Sequence, residues 1–230
     1  MSGVLSPALV EALCQLDSCV ISNAVETFDV RLRNEGFTSA AIRCVFPELP
    51  PVVGHAVTAT IRCSGPPAVG HVYADRTDWW TDILRTPAPR IVVVQDVDDH
   101  PGLGAFVGEV HAHILRALGC VAYVTNGAVR DLPAVQAAGL QLFAAGTSPS
   151  HAFVHMVSFG EPVEVAGLSI APGDVLFGDR HGVLSIPPAV ASAVPSVAFE
   201  MRRQERRVIE YCQSSAFALE QLRSIVNDWD

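Results

Sequence analysis

Along this chain the spacing of apolar positions switches repeatedly between a period near two and a period near 3.6, which predicts alternating strands and helices and an α/β fold. Ser6-Pro7 opens a predicted helix that runs to about Gln15, with serine as the N-cap and proline at the first helical position, where its missing N–H costs nothing. Ser22-Asn23 is expected to cap a second helix. Residues 52–62, VVGHAVTATIR, alternate in the manner of a strand. Residues 90–97, RIVVVQDV, form the continuous apolar run expected of a strand covered on both faces. Residues 106–118 have helical spacing and stop at Gly119, a residue type suited to a left-handed helix end. A strand over 120–125, a turn at Arg130-Asp131, a short helix ending near Gly139 and a strand over 140–144 complete this half.

After Gly146 the texture changes. Residues 161–187 hold short apolar pieces separated by Ala-Gly, Pro-Gly-Asp and Arg-His-Gly, the turn chemistry of tightly connected β-strands. Asp174 and Asp179 are expected to be turn residues that bond local backbone amides, with a ligand role as the alternative. From Pro188 the pattern is a long helix to about Cys212 and a second amphipathic piece ending at Asp230. The expected organisation is therefore an α/β domain over 1–187, including the N-terminal helices, and a helical arm over 188–230 that packs on a neighbouring subunit.

With 230 residues, half of them hydrophobic and 17% charged, the chain has enough apolar material for a substantial core and is not disordered. No apolar run approaches the roughly 18–20 residues of a membrane span, and the first fifteen residues lack the layout of a secretory signal, so no membrane association and a cytoplasmic location are expected. The net charge of −9 argues against a nucleic-acid partner. The one cationic concentration, Arg202, Arg203, Arg206 and Arg207, is interleaved with Glu200, Glu205 and Glu210 and is expected to form charge pairs on a solvated helix. Six cysteines without a C-x-x-C pair are expected to be reduced core thiols.

All 15 basic residues are arginine, so Schiff-base, pyridoxal-phosphate and Walker-A lysine chemistry are excluded. Against that background Gly127-Ala-Val-Arg-Asp131 stands out: an anion-binding guanidinium and a metal-capable carboxylate follow an apolar strand. Taken alone, Arg130-Asp131 reads as an ordinary surface ion pair or a helix-capping aspartate; only together with Gly108-Glu109 does the pair point to a site. Asp96, Asp98, Asp99 and His100 are metal-capable but precede Pro101-Gly102 and are expected to form a solvated loop. His151 and His155 are expected to share a helical face, without the glutamate of a zinc protease motif. Trp79 and Trp80 are expected to fill a subunit interface or to line a pocket for a bulky acid.

Four stretches carry a family likeness: VVGHAVTATIR (52–62), Gly108-Glu109 opening a helix, NGAVRD (126–131) and PGDVLFGDRHGVLSIP (172–187). Together they resemble the RraA-like superfamily, which holds the divalent-metal 4-hydroxy-4-methyl-2-oxoglutarate and 4-carboxy-4-hydroxy-2-oxoadipate aldolases and the regulator of ribonuclease activity A. The resemblance implies a swivelling β/β/α fold with helices packed on β-sheets, a homotrimer or dimer of trimers, and sites at subunit boundaries. It implies Asp131 as the direct ligand of Mg²⁺ or Mn²⁺, Glu109 as an outer ligand through water, and Glu205 of the C-terminal arm completing the metal site of a neighbouring subunit, with Glu200 and Glu210 as alternatives.

Beside that likeness, the residues suit a retro-aldol cleavage of a 4-hydroxy-2-oxo acid that releases pyruvate. Without lysine, a hard divalent cation and Arg130 are the groups able to hold the developing enolate charge, and oxaloacetate decarboxylation is the expected side activity. The first-turn amides of Gly108, Glu109, Val110 and His111 are expected to receive the substrate carboxylate. Asn23 and Asn126 stand where the family has aspartate, and His111 where an aliphatic residue is usual, beside the expected carboxylate site. His113 is expected to face away from it. Two alternatives remain at this point: a non-enzymatic binding protein of the ribonuclease-regulator type, and a related metal-dependent lyase or hydrolase on another α-keto or α-hydroxy acid.

Overall fold

The computed structural model describes residues 5–69 and 74–227. The chain begins with helices α1 (Pro7–Cys14) and α2 (Ser18–Glu26), followed by β1 (Arg43–Cys44), β2 (Val52–Arg62), α3 (Arg76–Arg85) and β3 (Arg90–Asp96). Then come β4 (Ala105–Val107), α4 (Glu109–Ala117), β5 (Cys120–Thr125), β6 (Ala128–Val129), α5 (Leu132–Ala137), β7 (Gln141–Ala144) and β8 (Gly146–Thr147). The second half runs β9 (His155–Phe159), β10 (Val163–Val165), β11 (Leu168–Ile170), β12 (Val175–Asp179), β13 (Gly182–Ile186), α6 (Val194–Cys212) and α7 (Leu219–Asn227). The expected end of the last helix at Asp230 lies outside the described residues.

The main sheet has the order β1-β7-β5-β3-β2-β12-β13, with β9 also paired to β2. Its centre, β2-β3-β5-β7, is parallel, as the intervening helices require, while β12 and β13 add an antiparallel edge. In β3 the alternation of side chains divides the core. Val92 and Val94 face a cluster with Trp79, Phe106 and Leu115, whereas Ile91 and Val93 face the β10-β11 hairpin through Val163, Val165 and Ile170. A third cluster joins α1, α2 and α6 to Val53, Phe177 and Leu184. β2 is buried along nearly its whole length because it sits between β3 and β12 with elements on both faces.

Several expectations are corrected by tertiary structure. The second helix begins at Ser18, not at Ser22-Asn23, because Asp17 caps it by accepting a hydrogen bond from the Val20 amide at 3.0 Å. Phe106 lies in β4, so the helix expected from 106 starts at Glu109, although Gly119 ends it with φ +73° as expected. His151 and His155 share no helical face, since His151 precedes a turn and His155 opens β9. Trp79 fills this chain's own core rather than a subunit interface: it is fully buried, with its ring centroid 5.8 Å from that of Phe106. All six cysteines are free, but Cys63 and Cys120 alone are buried, and Cys19 and Cys212 are exposed. Among the described residues no single helix is long and apolar enough to cross a membrane.

Candidate active site

The short parallel sheet β4-β6-β8 brings the two halves of the expected site together. β4 and β6 pair Ala105 with Ala128 and Val107 with Val129, and the Arg130 amide donates to the Val107 carbonyl at 3.1 Å. β4 then ends at Gly108 and turns into α4 while β6 ends at Arg130-Asp131 and turns into α5, so the start of α4 lies beside the Arg130-Asp131 pair. Asp131 adopts a left-handed backbone, φ 55° and ψ 38°, which is unusual for a residue with a Cβ. That turn aims its carboxylate away from its own helix. The Asp131 side chain makes no cap bond to α5; its Oδ2 instead accepts the Glu109 amide of α4 at 3.1 Å and the Arg130 Nε–H at 3.3 Å.

Gly108 is what lets the two turns approach. Its backbone is extended, so glycine is not needed for conformation. A Cβ there would run into Asp131 Oδ2 and would sit 3.0 Å from Arg130 Cγ and 3.1 Å from Arg130 Nε. The Glu109 amide at the positive end of α4, then the Arg130 guanidinium, hold the Asp131 carboxyl below the usual carboxylate range. It is therefore ionised throughout the neutral range, with Oδ2 accepting from the two N–H groups, and Asp131 lines an open depression of about 480 Å³ with Val129, Arg130, Leu132 and Thr147 to Pro149. An ionised carboxylate with one oxygen outside these bonds is a ligand of the kind that a hard divalent ion keeping most of its waters accepts.

The other expected residues divide. Glu109 is exposed at the first position of α4. Its amide donates to Asp131, which removes one of the four amides expected to receive a carboxylate. The Val110 side chain is exposed. His111 is half-buried, its Nδ1–H donating to the Phe106 carbonyl at 2.8 Å, and burial pushes its pKa below the ordinary value for histidine. His113 is exposed, as expected from its turn of the helix. Glu205 stands on α6, which packs on α1, α2 and α7. Asn126 bridges strand ends, its Oδ1 accepting the Asp96 amide at 2.7 Å and its Nδ2 donating to the Asp96 carbonyl at 2.9 Å. An aspartate could not make the second of these bonds.

The solvated loop expected over Asp96, Asp98, Asp99 and His100 holds for Asp99 and His100, which are exposed, and is corrected for Asp96 and Asp98. Both are buried, and with Cys63 they form a group of potential metal ligands whose ligand atoms lie within 4.8 Å of one another. Sequence reasoning missed the group because Cys63 comes from another strand: β2 and β3 pair Ile61 with Asp96, which puts Cys63 just beyond the strand end. The chemistry of this group is dominated by bonds to the chain itself. Asp98 Oδ2 accepts the Cys63 and Ser64 amides at 2.6 and 2.7 Å, and its Oδ1 accepts the Ser64 hydroxyl at 2.8 Å. Burial alone would raise the Asp98 carboxyl, but these donors outweigh it and leave the pKa lowered. Burial and then Asp96 push the Cys63 thiol up to about 12, so it is protonated. A cation here would have to displace that proton and compete with the amides, whereas Asp131 Oδ1 needs no such exchange.

Asp174 is the turn residue expected, accepting the Ala171 amide at 2.8 Å. Asp179 does more than close a turn: it is buried and accepts both the amide and the hydroxyl of Ser18 at 2.8 Å, fastening the start of α2 to β12.

The model of the RraA-like family, Aldolase/RraA, matches residues 18–185, so the chain belongs to that family. The mixed sheet with packed helices and C-terminal helices is its swivelling β/β/α architecture. Among curated proteins, one from Halalkalibacterium halodurans named "Putative 4-hydroxy-4-methyl-2-oxoglutarate aldolase" is 31% identical over 84 residues, which is 36% of this chain and 40% of that protein. The match thus spans less than half of the relative's length. A crystal structure of a protein from Pseudomonas syringae pv. tomato shares the fold with a TM-score of 0.73 at 22% identity, covering 97% of this chain and 96% of that one. Streptomyces coelicolor RraAS2, described as an unusual member of the RNase ES inhibitor RraA protein family, has a TM-score of 0.67 at 20% identity over 89% of this chain and 96% of its own.

Proposed function

We propose that this protein is a metal-dependent carbon–carbon lyase acting on a small 2-oxo or 2-hydroxy acid, with pyruvate-releasing cleavage of a 4-hydroxy-2-oxo acid as its main reaction. The observation that carries this reading is the position of Asp131: its carboxylate spans to the start of α4 beside Arg130, at an open depression that both residues line. A Mg²⁺ or Mn²⁺ held by Asp131 would supply Lewis acidity for the developing enolate charge of an oxo-acid. The chain supplies the rest. Arg130 presents its remaining guanidinium N–H groups to the carboxylate or enolate oxygen. The Val110 and His111 amides at the positive end of α4 take the other acid oxygen. The left-handed turn at Asp131 and the bare Cα of Gly108 hold these donors in one geometry before substrate arrives, which is where most of their effect on the barrier lies. The curated relative's name supports the same reading, while the family description, Aldolase/RraA, covers both this reading and the one below.

A second reading, a non-enzymatic binding protein of the ribonuclease-regulator type, is favoured by the fold shared with Streptomyces RraAS2 over nearly the whole chain and by the net charge of −9, which suits a basic partner. One assay separates them. Pyruvate release from a panel of 2-oxo acids, including 4-hydroxy-4-methyl-2-oxoglutarate and oxaloacetate, should stop on chelation, return with Mg²⁺ or Mn²⁺, and be insensitive to borohydride added with pyruvate. Metal-independent turnover would end the lyase mechanism, and an inert panel together with binding of an arginine-rich ribonuclease partner would establish the second reading.

A further inference from the structure

The segment between α2 and β1 carries a guanidinium that the fold partly buries without a counter-ion. Arg31 is half-buried, and its Nη1–H groups donate to the carbonyl and the hydroxyl of Ser185 in β13 at 2.8 and 2.9 Å. The head group lies against Gly36, which is in the left-handed region at φ +86° and has no Cβ to overlap it. The segment itself is tied down. The Ser185 amide donates to the Gly36 carbonyl at 2.9 Å, the Thr38 amide to the Val183 carbonyl at 2.9 Å, and the Ser39 amide to the Ala166 carbonyl in the β10-β11 turn at 2.8 Å. Bonds to β13 and to that turn, rather than a carboxylate, therefore set the place of Arg31.

Arg31 makes no ion pair among the described residues, and its Nε and Nη2 groups donate to none of them. Glu26 pairs instead with Arg33, at 3.7 Å. The charges of Glu26 and Glu35 reach Arg31, yet burial outweighs them and holds its pKa below the ordinary arginine value. A charge taken from water without a partner is unfavourable until an anion meets it. The guanidinium lines a depression of about 410 Å³ with Asn34, Glu35, Gly36, Ser169 and Ser185, and this depression shares no residue with that of Asp131. The side chains of Asn34, Glu35 and Ser169 are exposed and make no hydrogen bond among the described residues. An anion alone would be drawn to Arg31 and repelled by Glu35, whereas a ligand with both signs of charge satisfies the two.

We propose that this depression binds a polar α-amino acid, with its carboxylate on Arg31, its ammonium on Glu35, and a side-chain amide or hydroxyl among Asn34, Ser169 and Ser185. With Nη1 held by Ser185, the guanidinium presents Nε–H and Nη2–H as a planar fork that matches a carboxylate. The site does not depend on the chemistry of Arg130-Asp131.

The test is calorimetry on the full chain, with a chelator present, of L-asparagine against succinamate, which lacks the ammonium, and 3-aminopropanamide, which lacks the carboxylate. Asparagine should bind about tenfold more tightly than 3-aminopropanamide, the scale of one charge-assisted hydrogen bond. Its advantage over succinamate should be about threefold, because Glu35 is exposed and screened. Arg31→Gln should abolish the first preference and Glu35→Gln the second, while Arg130→Gln should change neither. Glu35 is exposed, so its substitution leaves the fold intact even where Arg31→Gln, which strips two bonds from Ser185, does not. No saturable binding of asparagine to wild type, succinamate binding as tightly as asparagine, or loss of asparagine binding in Arg130→Gln overturns the site. An unchanged preference in a folded Arg31→Gln variant, or in Glu35→Gln, overturns it as well.

Discussion

Adding one methyl group at Gly108 isolates the contact on which the candidate site depends. Position 108 has an extended backbone that alanine adopts freely, so any effect of Gly108→Ala comes from the new Cβ. That atom would collide with Asp131 Oδ2 and crowd Arg130 Cγ and Nε at 3.0 and 3.1 Å. The pair must then move off the start of α4, and the Glu109 amide loses its acceptor. A hydrogen bond to a charged group contributes about 1.5–3 kcal/mol when well shielded. The Asp131 side chain is 37% exposed, so solvent screening reduces this to about 1 kcal/mol. Alanine is also a poorer N-cap than glycine, by roughly 0.5–1 kcal/mol. The total, about 1–2 kcal/mol, corresponds to a fall in Tm of roughly 2–8 °C for a chain of this size. A displacement on the order of 1 Å at positioned groups should lower kcat/KM by about 10²-fold, measured as pyruvate release with Mg²⁺. Mn²⁺ affinity, followed by electron paramagnetic resonance, should fall with it. Gly139→Ala is the control: glycine there has φ +71° with open space around it, so alanine should cost about 1–2 kcal/mol in backbone strain and leave the rate intact. Wild-type rate and Mn²⁺ affinity in Gly108→Ala would refute the reasoning.

Other expected outcomes test separate parts of the structure. The Thr58 hydroxyl is fully buried without a hydrogen-bond partner, so Thr58→Val should raise stability by about 1 kcal/mol in urea unfolding; a loss of that size would show that the hydroxyl is satisfied. Burial holds the His111 pKa in the folded chain below its unfolded value near 6.5. The stability it confers is therefore complete above about pH 6.5 and is lost as pH falls from there toward the folded pKa, and His111→Gln should flatten that part of the stability profile. Asp131→Ala should abolish metal-dependent turnover, whereas Arg130→Lys, which keeps the charge without the planar fork, should lower kcat by orders of magnitude with metal binding retained. Asp131→Ala and Glu205→Ala, each inactive alone, should recover part of the activity when unfolded and reassembled together if Glu205 acts across a subunit boundary; an active Glu205→Ala protein would remove it from the site.

Local order along the chain was legible from residues alone wherever its cause is local. The Ser6-Pro7 start of α1, the glycine ends after α4 and α5, the apolar run of β3 and the turns between β10 and β13 follow from backbone restrictions and side-chain period, which act within a few residues. Arg130 and Asp131 stood out for the same reason, since an absent lysine and a carboxylate after an apolar strand are both visible without a fold. What the sequence left open is which groups meet. Whether Asp131 caps its own helix or another depends on the pairing of β4 with β6 and on a left-handed turn at a non-glycine residue, neither of which has a local signature. Asp96 and Asp98 looked like loop residues because the amides that make their burial tolerable come from the Cys63-Ser64 end of β2 and from Gly102. Trp79 looked like an interface residue because Phe106, its packing partner, is distant in sequence. Hydrogen-bonded burial and aromatic packing join residues far apart in the chain, so the tertiary structure alone decided where these side chains could stand.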